Sequence, residues 1–106
     1  MPDGWVIVKI VGEKGTHYRV FGSWRGGFAQ GDSWRMNSGI INCVFRDGYY
    51  AFEGASGSVY ACAKVGYGRL GAYNSAVLGD YVAKSEGMLT VMDDMEDWTT
   101  VVWETK

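Results

Sequence analysis

Between Ser38 and Gly68 the chain alternates apolar and polar positions in three short runs, which tight turns separate. Alternation with a period of two is typical of half-buried β-strands. The Asp47-Gly48 dipeptide is a strong hairpin signal, because glycine tolerates the positive φ that such turns need. We therefore predict a meander of three antiparallel strands over Ile40–Phe45, Tyr49–Glu53 and Ser58–Lys64.

The third of these runs separates two kinds of side chain. One face holds the small apolar residues Val59, Ala61, Ala63 and Val65. The other face holds the mixed set Ser58, Tyr60, Cys62 and Lys64. Small apolar side chains suit the narrow interior of a bent sheet, so we expect the first face to be buried. The second is expected to be half exposed or to meet a partner. With the glycines around it, this pattern predicts a small, strongly bent antiparallel β-barrel.

Apolar residues occupy both faces of the opening run, Trp5–Val11, instead of alternating with polar ones. Val6, Val8 and Ile10 form one face, and the opposite face is also mostly apolar. Two-sided burial indicates a central strand, or a strand whose exposed side another subunit covers. After a polar turn, Thr16–Gly22 is expected to return as a second strand.

The last third of the chain mixes helical and strand-like patterns. Asn74–Lys84 has the apolar spacing of a short helix, with Asn74 as a candidate N-cap and Gly87 as a stop signal. Met88–Met92 and Thr99–Glu104 are favoured as closing strands. The predicted fold class is therefore all-β, with room for one short helix.

Composition agrees with one domain that spans residues 1–106. A chain of 106 residues has the usual size of a single domain. Its 16 glycines against one proline suit an all-β protein with many turns. No run of about 18 apolar residues is present, and Met1-Pro2-Asp3 lacks the features of a secretory signal. We therefore expect a cytoplasmic protein.

The net charge of −2 conceals an uneven distribution. Residues 1–71 carry eight Lys or Arg and five Asp or Glu, whereas residues 72–106 carry two and seven. The first part, at +3, could face a nucleic-acid backbone while the acidic end points away. The alternative is that the acidic end is an ordinary solvated surface.

The reactive side chains give little support for catalysis or metal binding. A reducing cytosol favours Cys43 and Cys62 as buried free thiols rather than a disulfide. Two cysteines and one histidine fall short of the four ligands of a zinc site. The acidic turn from Asp93 to Asp97 lacks the spacing of a calcium loop. His17 lies in a predicted strand without a paired nucleophile, so we expect neither an enzyme nor a cofactor.

Two tryptophan–arginine pairs occur in the glycine-rich segment Gly22–Gly39. Tryptophan can stack on a base and arginine can pair with phosphate, which is how single-strand-binding loops work. Alternatively, Trp34 begins a core strand and Trp24 packs the loop against the core. A flexible aromatic and basic turn farther along the chain could lie nearby. The candidate nucleic-acid-binding residues are Trp24, Arg25, Trp34, Arg35, Tyr67 and Arg69.

The segments Trp34–Gly39, Gly54–Tyr60 and Tyr67-Gly68, followed by an acidic turn and a tryptophan, resemble a family of short, uncharacterised proteins. Marine cyanophages encode this family, which is abundant in ocean metagenomes, and the resemblance covers nearly the whole chain. It implies an Sm-like fold, which is a short, bent five-stranded barrel whose subunits join edge to edge into a ring. It also implies RNA binding at loops that line the pore. Neither Sm signature motif is present, so no base-binding residue is carried over.

Two functions stay open at this point. The first is a ring-shaped homo-oligomer that binds single-stranded RNA or DNA during phage infection. The second is a protein–protein interaction or assembly module of a phage with no nucleic-acid role. Edge strands have open N–H and C=O groups that invite pairing, which gives ring formation a physical reason of its own.

Overall fold

The computed structural model describes residues 1–13, 15–26 and 32–103. Its strands are β1 (Gly4–Gly12), β2 (Gly15–Trp24), β3 (Ser33–Met36), β4 (Ile40–Arg46), β5 (Tyr49–Gly54), β6 (Val59–Ala63) and β7 (Leu89–Val91). One α-helix, α1 (Ala72–Lys84), precedes β7. Two short 3-10 helices cover Lys64–Gly66 and Trp98–Thr100.

The described strands form two antiparallel sheets. One has four strands in the order β3-β2-β1-β7, and the other has three in the order β4-β5-β6. The second sheet is the predicted meander, and its three strands pair consecutively with Asp47 and Gly48 in the first turn. The mostly antiparallel β class with one helix is therefore confirmed. No closed barrel is found among the described residues.

Strand β1 is central, as its two-sided apolar pattern predicts. Its Trp5 and Ile7 face the three-stranded sheet, where they join a core cluster with Tyr50. Its Val6 and Val8 face the other way and pack with residues of the helical side of the molecule. Both faces are thus covered by other parts of the same chain. The fold has three layers, with the four-stranded sheet between the three-stranded sheet and α1.

Trp5 joins the two sheets. Its indole is fully buried and lies 5.3 Å, centroid to centroid, from the ring of Phe52. The Tyr67 ring meets it edge-on at 4.8 Å. The indole Nε1–H of Trp5 donates a 2.7 Å hydrogen bond to the backbone carbonyl of Ala63, at the end of β6. A single side chain of β1 thereby fixes the position of the second sheet.

Helix α1 is tied to the four-stranded sheet by a buried polar contact. Asn74 Nδ2 donates to Ser23 Oγ at 2.7 Å and to the Ser33 carbonyl at 2.8 Å. Ser23 Oγ in turn donates to the Leu70 carbonyl at 2.7 Å. The predicted helix is confirmed, but its predicted cap is wrong. Gly71 occupies the N-cap position, and Asn74 lies inside the first turn, where it bonds to β2 and β3.

Two other expectations are corrected. The buried face of β6 carries Cys62, whereas the small apolar Val59 is 62% exposed, because the bulkier side chains fill the space beside Trp5. The predicted strand Thr99–Glu104 is also wrong within the described residues. The Asp97 side chain accepts a 2.9 Å bond from the Thr99 N–H, which starts a 3-10 turn instead of a strand.

The entry of β1 into the core leaves no room for a side chain at Gly4. A Cβ there would lie 1.7 Å from the carbonyl oxygen of Arg69. We predict that Gly4→Ala lowers the free energy of unfolding by at least about 3 kcal/mol, because backbone must move. Gly79→Ala is the control, since its Cβ meets nothing within 4 Å in α1. It should raise stability by about 0.5–1 kcal/mol. Urea denaturation of both variants measures this, and a Gly4→Ala protein as stable as wild type contradicts it.

Both cysteines are free and buried, as predicted. Burial raises the pKa of the Cys43 and Cys62 thiols to about 12, so both stay protonated at neutral pH. We predict that a disulfide-exchange reagent at pH 8 labels the folded protein at least about 100-fold more slowly than the denatured protein. The variants Cys43→Ala and Cys62→Ala assign any residual reactivity to one thiol. Rapid labelling of the native protein would contradict the burial of these thiols.

Candidate nucleic-acid interface

An open cleft of about 450 Å³ lies where the end of β2 and strand β3 face the edge strand β6. Two aromatic and two basic residues dominate its lining. Its walls are formed by Met1, Pro2, Trp24, Arg25, Gly26, Ser33, Arg35, Val59, Tyr60 and Ala61. The cleft therefore lies between one edge of each sheet.

The alternation of β2 and the absence of a side chain at Gly22 place the indole of Trp24 in this cleft. Gly22 and Trp24 are two residues apart on one strand, so they share a face of the sheet. A Cβ at Gly22 would lie 3.0 Å from Cη2 of Trp24 and 3.3 Å from Cβ of Pro2. The indole thus folds back over the glycine. Its ring meets Tyr60 of β6 edge-on, with centroids 6.4 Å apart.

Arg25 and Arg35 bring two positive charges to the same cleft. Arg35 lies opposite Gly22 in the pairing of β2 with β3, and its side chain is exposed. The backbone N–H of Arg25 donates to Asp3 Oδ2 at 2.6 Å, which fixes the chain where it leaves β2.

Neither guanidinium in the cleft forms an ion pair with a described carboxylate. Lys84 and Asp80 of α1 form the one ion pair found in residues 1–13, 15–26 and 32–103. Among the described residues, no Asp or Glu belongs to the cleft lining, and the nearby Asp3 carboxylate is bonded to the backbone of Arg25. The described lining thus carries two positive charges with aromatic rings beside them.

Strand β6 presents open backbone groups to the cleft. Gly54 donates its N–H to the Ser58 carbonyl, and Lys64 donates to the Gly48 carbonyl. Because bonded pairs alternate along an antiparallel ladder, the even-numbered residues of β6 bond to β5. Val59 and Ala61 therefore turn their N–H and C=O groups away from β5, toward the open edge.

The structure places the six sequence-predicted residues in three different settings. Trp24, Arg25 and Arg35 line the cleft together. Trp34 stacks on Phe21 at 5.2 Å in the layer between the sheet and α1. Arg69 is exposed and lies outside the cleft lining.

Tyr67 is part of the core rather than of the cleft. Its ring stacks on Trp98 at 5.4 Å, and its hydroxyl donates to the Met92 carbonyl. The same hydroxyl accepts the backbone N–H of Ile7 at 3.1 Å. Burial raises the pKa of Tyr67 to about 12. These contacts connect β1 to the C-terminal segment and leave the phenol no polar group for a ligand.

Tyr60 is the cleft residue that sequence reasoning did not select. The sequence does carry a signal for it, because Tyr60 lies on the mixed face of the third predicted strand, where contact with a partner is an expectation. Tyr60 and Trp24 are far apart in the sequence, so the sequence alone does not predict that their rings meet. Only the packing of β6 beside Trp5 brings them together.

A second cavity, of about 550 Å³, lies between the three-stranded sheet and the acidic turn. Lys64 Nζ lies 5.8 Å from the centroid of the Phe45 ring there, and Asp97 also lines the cavity. Hydrogen bonds from Thr99 lower the pKa of the Asp97 carboxyl. No group of three or more His, Cys, Asp or Glu side chains that could hold a metal ion occurs in the described part of the chain.

Comparisons with protein-family models, curated proteins and solved structures found no match to this chain. Within the described residues, no helix has the length and apolar character needed to cross a membrane.

Proposed function

We propose that this protein binds single-stranded nucleic acid in the cleft between β3 and β6. The observation that carries the proposal is the meeting, in one cleft, of two partly exposed aromatic rings and two guanidiniums that form no ion pair with a described residue. Base stacking on aromatic rings and phosphate pairing with arginine are the two contacts that single strands need.

The contact between the two rings determines how a base can bind in the cleft. Trp24 and Tyr60 already touch edge-on, so a base stacks on an outer ring face instead of inserting between them. Arg25 and Arg35 then pair with the phosphates on either side of that base. The open edge of β6 offers the N–H and C=O groups of Ala61 for hydrogen bonds to a base edge. This is a binding function and requires no catalytic group.

The Sm-like resemblance implies the same partner, and the Sm-like barrel stays a hypothesis about the fold. Ring assembly through sheet edges also stays a prediction. Strands β3, β4, β6 and β7 end their sheets and can pair with a neighbouring copy. Light scattering at micromolar concentration should then give a multiple of the 11.7 kDa chain mass. A monomer mass under these conditions contradicts the ring.

One observation favours a second function, recognition of an extended peptide. The open edge of β6 borders the cleft, and a peptide strand can add to such an edge through main-chain hydrogen bonds. The arginines would then select acidic peptides. Oligonucleotide binding separates the two functions. If no oligonucleotide binds the protein at any salt concentration, the peptide becomes the better candidate.

The aromatic part of the proposal is tested by Trp24→Ala and Tyr60→Ala. We predict that each weakens binding of a fluorescent single-stranded 12-mer by about 5- to 150-fold, because stacking on a base contributes about 1–3 kcal/mol. The measurement is fluorescence anisotropy at low salt. Tyr73→Ala is the matched control, because Tyr73 is 61% exposed on α1 and lies outside the cleft. Equal affinity of Trp24→Ala and wild type, with both folded, would refute stacking at this site.

The charged part is tested by Arg35→Ala. Loss of one phosphate contact should weaken binding of every sequence and reduce the slope of log K against log salt by about 0.7. Arg69→Ala removes the same charge from an exposed position outside the cleft, so its slope should equal that of wild type. If the two variants lose the same slope, the protein attracts nucleic acid through overall charge and the cleft has no special role.

A further inference from the structure

The outer face of the three-stranded sheet forms a regular grid of nine side chains. Pairing of β4 with β5 and of β5 with β6 aligns three rows across the sheet. The first row is Asn42, Glu53 and Val59; the second is Val44, Ala51 and Ala61; the third is Arg46, Tyr49 and Ala63. The opposite face of the same sheet holds Cys43, Phe52 and Cys62 in the core.

This outer face is apolar and uncovered. Val44 is 54% exposed and Val59 is 62% exposed, although the opposite face of the same sheet buries Cys43, Phe52 and Cys62. Tyr49 adds a third exposed apolar side chain. An exposed apolar patch of this kind, with polar residues at its rim, is a mark of an interaction surface.

The outer face carries one positive and one negative side chain, at its two opposite ends. Arg46 lies in the third row on β4, and Glu53 lies in the first row on β5. Neither forms an ion pair with another described residue. The face therefore has an unpaired positive charge at one end, an unpaired negative charge at the other, and an apolar middle row. A two-fold rotation about the middle row places the first row of one copy over the third row of the other.

We propose that the partner of this face is a second copy of the chain, stacked face to face. The two-fold axis lies between the sheets, along the row Val44–Ala51–Ala61, and makes an isologous contact. Val44 meets its own copy, and the small alanines let the sheets approach to the usual distance of about 10 Å. Val59 of one copy lies over Ala63 of the other, so a large side chain meets a small one. Arg46 lies diagonally opposite Glu53 of the second copy, and this pair occurs twice.

The size of the face sets the strength of this contact. Three strands about 4.8 Å apart and three rows about 7 Å apart give roughly 300 Å² per copy. A standard interface uses about 800 Å² per partner. We therefore expect a weak contact, which adds to any assembly through the sheet edges and doubles its mass as the concentration rises.

The dimer would also bring the two clefts together. Rotation about an axis that runs across the strands leaves both β6 edges on the same side of the dimer. One single strand can then contact both clefts. This consequence rests on the proposed function, whereas the contact itself does not, so self-association is measured without nucleic acid.

The test is a charge swap followed by sedimentation velocity from 10 μM to 1 mM. Arg46→Glu and Glu53→Arg should each weaken dimerisation at least about tenfold, because each places like charges diagonally opposite twice per dimer. The double variant Arg46→Glu/Glu53→Arg should recover the wild-type dissociation constant to within about threefold. Arg69→Glu, an exposed charge change away from this face, is the control and should leave it unchanged.

A second variant tests the apolar row. Val44→Lys places two ammonium groups against each other on the axis. It should abolish the increase in mass between 10 μM and 1 mM while the protein stays folded, with folding checked by circular dichroism. Three results would overturn the proposal. They are a wild-type mass that does not increase between 10 μM and 1 mM, an increase that Val44→Lys leaves unchanged, and a double variant that associates no better than the single ones.

Discussion

The packing of Trp5 is the constraint on which the rest of the structure depends. Its indole fills the space between the two sheets, and its Nε1–H bonds to the Ala63 carbonyl at the end of β6. That bond satisfies one of the polar groups that an edge strand leaves open. It also places β6 at a fixed distance from the end of β2. The width of the cleft between Trp24 and Tyr60 follows from this contact, because Tyr60 lies only three residues before Ala63.

The opposite wall of the cleft is held by a different contact. Asn74, at the start of α1, bonds to Ser23 and to the backbone of Ser33. Ser23 directly precedes Trp24, and Ser33 lies two residues before Arg35. The helix thus fixes the ends of β2 and β3 from the face that is away from the cleft. Because the backbone behind the site is already fixed, the protein loses little conformational entropy when a ligand binds.

Local patterns predicted the local parts of this fold. The meander and the helix depend on alternation, on the Asp47-Gly48 turn and on helical spacing, all of which a short segment contains. The two-sided apolar run predicted that β1 is central. What covers its two faces was beyond the sequence, because those contacts come from segments far along the chain.

Contacts between residues far apart in the sequence explain the predictions that failed. They also explain why only some of the predicted site residues lie in the cleft. Either face of β6 could have been buried on composition alone, and Trp5, 58 residues from Ala63, selects the face of Cys62. Aromatic residues serve both cores and binding sites, so sequence could not separate Trp34 from Trp24. Thr99 favours strands, but the side chain of Asp97 captures its N–H and turns the chain. Each outcome depends on one specific partner rather than on an average preference.

The central claim is that a single strand binds in the cleft that Trp24, Arg25, Arg35 and Tyr60 line. Two-dimensional NMR spectra of the ¹⁵N-labelled protein, recorded while an oligonucleotide is added, test it most directly. The account predicts that the indole N–H signal of Trp24 and the amide signals of Arg25 and Ala61 shift together in a saturable way. The indole signals of Trp5 and Trp98, which are fully buried, should stay in place. Shifts confined to residues outside the cleft, or none at all at millimolar oligonucleotide, would contradict it.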